Sequence, residues 1–462
     1  MREKKFHMPT AYTILFLLLI LVAAATWIIP AGSYDYEDGV PVAGTYHTVE
    51  QSPQGPGDVL RAAFSGFYDA VDVCVFILMV GGFLGVVMKT GAVDAGVSNI
   101  IRLLGGREKW LIPILMVLFG LGGTTYGMWE ETMAFYPLLI PVFLAAGYDA
   151  VVGISVILLG AGAGVIASTV NPFATGIAAG FAGVSLGEGI VLRLLEWVAF
   201  EGAAIWFVMA YAAKVKRNPS KSVVGVGTGR IQVSMEQQVP FTARRKAIMA
   251  IFTLTFLIMV YAVVPFDEMG LPLPTLGWWF PELSALFLVG GVVIGLMDRM
   301  SEEELTETFV AGCADLLGVA FIIGISRGIT VLMNDGAITD TILHWGENAL
   351  AGAGPVSFTL LVFLLYLPLT ILIPSSSGLA TLSIPIVAPL GKFAGVGGDL
   401  VVTAFQSASG LVNILTPTAA VVMGALALGH VPYDRWLKYV WKLMALFFLL
   451  ALAFLIAGVL LG

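Results

Sequence analysis

From Thr13 to Ile29 the chain carries no charged residue, and apolar stretches of this kind recur to its C-terminus. A helix needs about 20 mostly apolar residues to cross a bilayer. Runs between charged or Gly/Pro breaks fall at 10–30, 60–88, 149–184, 186–213, 245–264, 279–298, 305–334, 398–429 and 433–461. Two further segments, 110–146 and 356–393, are apolar but interrupted midway, at Gly120–Gly127 and at Pro374–Gly378. Each half is too short to cross. Non-helical backbone at membrane depth persists only where protein or a water-filled cavity satisfies it, so both segments read as re-entrant hairpins. The expected architecture is an all-α polytopic membrane protein of about nine to ten transmembrane helices plus two hairpins.

Composition agrees. Of 462 residues, 58% are hydrophobic and 12% charged, with a net charge of −8. So few charges cannot cover a soluble surface, and an acidic balance argues against nucleic acid as a partner. No GxxxxGK[ST] run is present, so the chain has no ATP motor of its own. Cys74 and Cys313 lie in apolar runs, and the four histidines are scattered, which argues against a structural zinc site. With no metal cluster and no GxSxG nucleophile, an enzyme is disfavoured. The basic opening Met1–His7 before the first run resembles a signal peptide. A similar segment recurs inside the chain, so it reads as a retained helix.

With the N-terminus placed in the cytoplasm, most basic residues fall inside. They include Lys4, Lys5, Lys89, Arg102, Arg107, Lys109, Lys214, Lys216, Arg217, Arg244, Arg245, Lys246, Arg299, Arg435, Lys438 and Lys442. Arg61, Lys392 and Arg193 remain outside with acidic stretches such as Asp267-Glu268. This is the positive-inside pattern, and it puts the C-terminus outside. The halves also resemble each other at a spacing near 245 residues: Gly66–Asp69 faces Gly312–Asp315, Tyr136–Pro141 faces Ile384–Pro389, and Asn171-Pro172 faces Thr416-Pro417. The run 279–298 has no counterpart and inverts the second copy. Residues 1–215 then form the first inverted repeat, 216–243 a cytoplasmic linker and 244–462 the second. Inverted repeats with interrupted helices at matched places point to a secondary transporter and to its site.

The first hairpin tip carries Glu130 and Glu131, and the second is the hydroxyl cluster Ser375-Ser376-Ser377. Behind each follows a broken helix, at Ser168–Thr175 in 149–184 and at Asn413–Thr418 in 398–429. Carbonyls freed by Pro172 and Pro417, with Asn and Thr oxygens, suit a dehydrated sodium ion. The alternative is two prolines kinking packed helices. Arg327 stands alone as a basic residue deep in an apolar run. It reads either as a carboxylate clamp or as half of an ion pair with Asp69, Asp315 or a hairpin glutamate. Glu130 and Glu131 diverge by about 100° at helical spacing, so one at most faces the site. Their possible roles are binding an ammonium or guanidinium group, carrying a proton, or capping a helix. Gly160–Gly164, Ser407–Ser409 and Gly291–Gly295 read as small-residue helix packing.

Gly122–Thr132, Ser168–Gly176, Ile373–Thr381 and Ser407–Thr418 resemble the YfcC family, related to the anaerobic four-carbon dicarboxylate carriers and the arginine/ornithine exchangers. The resemblance implies the ion transporter superfamily fold, with a dimeric scaffold and a transport domain moving as an elevator. It implies sodium candidates Thr124, Thr125, Asn171, Ser376, Ser377, Asn413 and Thr416, and substrate candidates Glu130, Glu131, Asn171, Thr175, Arg327, Ser375, Ser376, Asn413 and Thr418. Thr416-Pro-Thr418 departs from an Asn-containing signature, which makes the second ion site the weaker one. The expected function is a secondary transporter of a small amino acid, of a basic type such as arginine or ornithine, driven by sodium, a proton or a counter-substrate. A transporter of di- or monocarboxylates is the alternative; an ion channel ranks below both.

Overall fold

The computed structural model describes residues 11–93, 107–225, 240–263 and 272–461, with isolated positions 95, 96, 99 and 266. Lys4, Lys5, Arg102, Asp267-Glu268 and most of the linker (226–239) lie outside the described residues. The helices are α1 Ala11–Ala25, α2 Pro56–Asp69, α3 Val71–Lys89, α4 Leu111–Tyr126, α5 Tyr136–Ala145, α6 Ala150–Ile166, α7 Ile177–Ala182, α8 Ile190–Arg217 and α9 Ala243–Val263. They continue with α10 Phe280–Asp298, α11 Glu302–Asp335, α12 Thr339–Leu350, α13 Pro355–Leu372, α14 Ser376–Phe393, α15 Gly398–Asn413, α16 Ala420–Leu428 and α17 Tyr433–Leu461. Among the described residues, 6 helices are long and apolar enough to cross a membrane. Large apolar side chains such as Leu21, Leu296 and Leu449 remain exposed on these and neighbouring helices. In water such a surface would aggregate; in lipid it is the natural outer face. The protein is a multi-pass membrane protein.

One half of the bundle is organised by α11, which packs along the whole of α2 and α3. Glycines set the distance. A Cβ on Gly66 would collide with the backbone of Gly324 and Gly328, and one on Gly81 would lie 2.5 Å from the carbonyl oxygen of Gly312. Ascending positions on α2–α3 meet descending ones on α11, so the pair is antiparallel. The expected single span over 60–88 is instead two helices bent at Ala70. The hydrogen-bond ladder runs through the bend, from Ala70 N to Gly66 O and from Cys74 N to Ala70 O. Without Gly or Pro at that point, local sequence carries no signal for it.

The other half holds the interrupted elements. Helices α4 and α5 form the first hairpin, and both its ends meet Lys216: Nζ lies 3.1 Å from Glu108 Oε2 and 4.9 Å over the Tyr148 ring. The legs therefore return to one end of the bundle. The break differs from expectation. Gly120, Gly122 and Gly123 sit inside α4, and the helix stops at Gly127, which takes a left-handed φ of 77°. The glycine run serves packing: Gly123 abuts the Ala161 carbonyl, and Gly164 abuts that of Gly120. Helices α13 and α14 form the second hairpin, interrupted at 373–375, with Pro355 and Gly395 close at its base. Within 149–184 and 398–429 the helices are interrupted at 167–171 and 414–419.

At the opposite end, four short strands escaped the sequence reading. β1 (Gly32–Ser33) pairs antiparallel with β4 (His47–Thr48), and β2 (Tyr36–Glu37) with β3 (Val40–Pro41). They latch onto α12. Asp340 accepts from Tyr34 N at 3.0 Å and from Tyr36 Oη at 2.8 Å, while Tyr46 stacks on His344 at 4.0 Å. Burial, and the Tyr34 hydroxyl's donation to Glu347, hold the Tyr34 phenol far above its ordinary pKa, so it stays a donor. Asp340→Ala leaves the buried Tyr34 amide unpaired, at about 1–3 kcal/mol. The expected result is faster proteolysis within 31–51 in the intact protein; an unchanged cleavage rate would contradict the latch.

Candidate functional site

The tip of the first hairpin and the break in the first broken helix are tied through Thr124. Its Oγ1 donates to Ala167 O at 2.7 Å, and its carbonyl accepts from Thr169 N and Thr169 Oγ1, each at 2.9 Å. Beyond the break, Pro172–Gly176 forms a π-helical turn closed by Gly176 N on Asn171 O at 2.7 Å. Such turns displace carbonyls from the regular ladder and recur at functional sites. Asn171 lies against Gly127, where any Cβ would strike its side chain. Thr124 and Asn171 thus share one junction. Thr125 does not join it, since its hydroxyl donates back to Leu121 O at 2.6 Å. Thr175 is fully buried and donates to Ser168 Oγ at 2.7 Å. Thr124→Val removes the hydroxyl's bond to Ala167 O and the one it accepts from Thr169 N, and leaves the Ala167 carbonyl unpaired, at about 1–3 kcal/mol. A lower unfolding temperature is expected for Thr124→Val and near-wild-type stability for Thr124→Ser; equal temperatures would sink the junction's role.

The second junction is more open. Ser375 caps α14 by accepting from Gly378 N at 3.2 Å, and its hydroxyl lies 3.4 Å from that of Ser377. Thr416 Oγ1 and Thr418 Oγ1 pair at 2.7 Å. Among the described residues no hydrogen bond joins Ser375, Ser376 or Ser377 to Asn413, Thr416 or Thr418. The Asn413 side chain, 8% exposed, has no hydrogen-bond partner among them. Thr124 O is already satisfied at the first junction, whereas Asn413 still has its amide oxygen to offer. No group of three or more His, Cys, Asp or Glu residues suited to a metal occurs among the described residues.

Between the two junctions lies a cavity of about 40 Å³ lined by Trp129, Glu130, Ser326, Arg327, Asn413 and Thr418. Glu130, Arg327, Asn413 and Thr418 are therefore brought together; Asn171, Thr175 and the serine cluster do not line this space. The adjacent carboxylates have parted. Glu131 turns back to accept from Trp129 N at 3.1 Å, a local cap, while Glu130 faces the cavity. Arg327 lines the cavity and also pairs with Asp69, Nε to Oδ2 at 3.7 Å. Ser326 fastens α11 to the second break by donating to Thr418 O at 2.6 Å.

The sequence reading gave no role to Glu196 and Glu201 of α8 and used Arg193 only as a marker of sidedness. Arg193, Glu196 and Glu201 are 1%, 0% and 4% exposed. Arg193, expected outside, donates Nη2 to the carbonyls of Leu186 and Glu188. Glu196 accepts from Ser407 Oγ at 2.8 Å, so Ser407 is a hydrogen-bonding residue as well as a small one. Three charges within an otherwise apolar run were the available signal. Gly160–Gly164 and Gly291–Gly295, by contrast, pack as expected, Gly160 on the Met116 backbone and Gly295 on Leu305.

A helical bundle in which two hairpins and two interrupted helices converge on a small cavity lined by Glu130 and Arg327 suits a transport protein. The chain belongs to the DcuC family, described as C4-dicarboxylate anaerobic carriers, whose profile matches residues 8–460. A protein of Haemophilus influenzae described as uncharacterized is 35% identical, covering 99% of this chain and 98% of its own. The Escherichia coli protein described as "Putative basic amino acid antiporter YfcC" is 30% identical over the same shares. Among solved structures, the Alcanivorax borkumensis YdaH transporter aligns with a TM-score of 0.44 at 15% identity, over 98% of this chain and 97% of that one. Neisseria gonorrhoeae MtrF, from a class titled antimetabolite efflux pumps, gives 0.45 at 18%, over 97% and 94%.

Proposed function

We propose that this protein is a secondary active transporter of a small amino acid, of the basic type, exchanging it or coupling it to sodium or a proton. The observation that carries the reading is the presence of Glu130 and Arg327 on one cavity. Arg327 offers a guanidinium to a carboxylate and Glu130 a carboxylate to an amine or guanidinium. A dianion would leave Glu130 as a like charge, at a cost in desolvation and repulsion. The name borne by YfcC agrees with a basic amino acid. Carriage of a four-carbon dicarboxylate is the second reading, and the family's description favours it.

In the proposed mechanism the hairpins α4–α5 and α13–α14 move with the broken helices as one body, an elevator against a scaffold of α1, α2, α3, α10 and α11. The inverted repeats 1–215 and 244–462 supply the two related access states. The dimer implied by the family resemblance would form through the scaffold. Sodium would bind at the junctions, with Asn413 and Thr416 as oxygen donors at the second. The positive-inside pattern places the N-terminus and the end carrying Lys89, Lys216 and Arg245 in the cytoplasm, and the strand module outside. Uptake into proteoliposomes of arginine, ornithine, alanine and succinate, each with and without sodium and a pH gradient, tests the reading. Saturable arginine uptake supports it; succinate uptake without arginine uptake replaces it with the second.

A further inference from the structure

A second and much larger cavity, about 620 Å³, lies between α1, α11, the end of α16 and the start of α17. Its volume falls in the range of small-molecule sites. One face of α11 runs through both cavities: Asp315, Gly318 and Ile322 line the large one, Ile323, Ser326 and Arg327 the small one. Asp315 and Arg327 are 12 positions apart, a rise of about 18 Å along the helix. Most of the large cavity's wall is apolar, including Val319, Met423, Leu426 and Tyr433.

Three titratable groups other than tyrosines line it: Asp315, His430 and Asp434. Asp434 is neutralised by Lys438 at 3.4 Å and Arg435 at 3.7 Å. Asp315 is exposed and has no hydrogen bond or ion pair among the described residues. A carboxylate set within a membrane helix normally pairs or serves a ligand path. Here the partner position is open space.

We propose that Asp315 is a specificity-determining residue, holding the cationic group of the substrate in this chamber on its way between the cytoplasm and Glu130. This rests on the reading of the site as one for a basic amino acid. An amine or guanidinium would pair with Asp315 while its aliphatic stem lies on Val319, Ile322 and Leu426. A neutral amino acid gains nothing there, and a dicarboxylate is repelled. Selection would begin one step before the site.

Two measurements on the full chain in proteoliposomes of known orientation test this. With Cys74 and Cys313 replaced by alanine, Asp315→Cys should react with an impermeant cationic thiosulfonate from the cytoplasmic face and not from the other. Labelling from the opposite face, or from neither, overturns the chamber. For Asp315→Asn, the ratio of the KM for arginine to that for alanine, measured from the cytoplasmic face, should rise about fivefold, as expected for loss of roughly 1 kcal/mol of ion pairing. Asp315→Glu should keep the wild-type ratio. An unchanged ratio in Asp315→Asn overturns the selective role even where labelling succeeds. A wild-type protein that carries no amino acid overturns the substrate reading and the role of Asp315 with it, while labelling still decides the chamber.

Discussion

Replacing Glu130 by glutamine is expected to lower arginine uptake about 100-fold while leaving the fold intact. Truncating one partner of a buried charge pair costs about 2–5 kcal/mol, and glutamine removes the charge while keeping the shape. Glu131→Ala tests the parting of the two carboxylates. Glu131 accepts from the Trp129 amide at the tip, so its loss should show in thermal stability before it shows in substrate choice. If Glu130→Gln carries arginine at the wild-type rate in proteoliposomes, the assignment of the cation to this carboxylate is wrong. Arg327 needs a subtler test because it also pairs with Asp69 at 3.7 Å. A double-mutant cycle between Arg327→Ala and Asp69→Asn separates the two roles. A substrate clamp leaves a large transport loss in Arg327→Ala that Asp69→Asn does not share; an ion pair alone makes the two variants equivalent.

Gly312→Val is expected to prevent recovery of folded protein. A Cβ at this position would collide with the Gly81 carbonyl oxygen and sit 3.0 Å from Gly85 Cα. Both neighbours are backbone, so no rotamer change relieves the clash and the helices must separate. In membranes, where lipid competes equally for apolar surface, close backbone approach between helices is a main source of association. Opening this contact therefore separates α11 from α3, against which it packs along its length. Gly202→Ala is the matched control: nothing lies within 4 Å of its Cβ, and alanine improves helix propensity by about 0.5–1 kcal/mol. A monodisperse Gly312→Val protein of normal thermal stability would show the α3–α11 spacing to be dispensable.

Much of the architecture was legible because the bilayer imposes a length on helices and because proline and glycine mark interruptions. The helix interruptions at 167–171 and 414–419 lie beside Pro172 and Pro417, which the sequence displays. What escaped depends on partners distant in sequence. The bend at Ala70 has no local breaker. The glycines Gly120–Gly123 signal a break as readily as they signal packing, and only α6 behind them decides for packing. Glu196 and Glu201 had no partner in nearby sequence to suggest a role; Ser407, which bonds Glu196, lies 211 positions away. At the site, the charge type of Glu130 and Arg327 was visible in the sequence. Which glutamate turned inward was set by the backbone path at the tip, which neighbouring residue types do not specify.

Lys216 touches both legs of the first hairpin, and nearby the Asp149 carboxylate that starts α6 accepts from Tyr211 and Ser222. Four chain segments are thus riveted at a single root, far from the tip where Gly127 and Trp129 turn the chain. The tip is held as well, by Thr124 on Ala167 and Thr169 and by Gly127 against Asn171, so the hairpin is fastened at both ends, like a staple rather than a tongue.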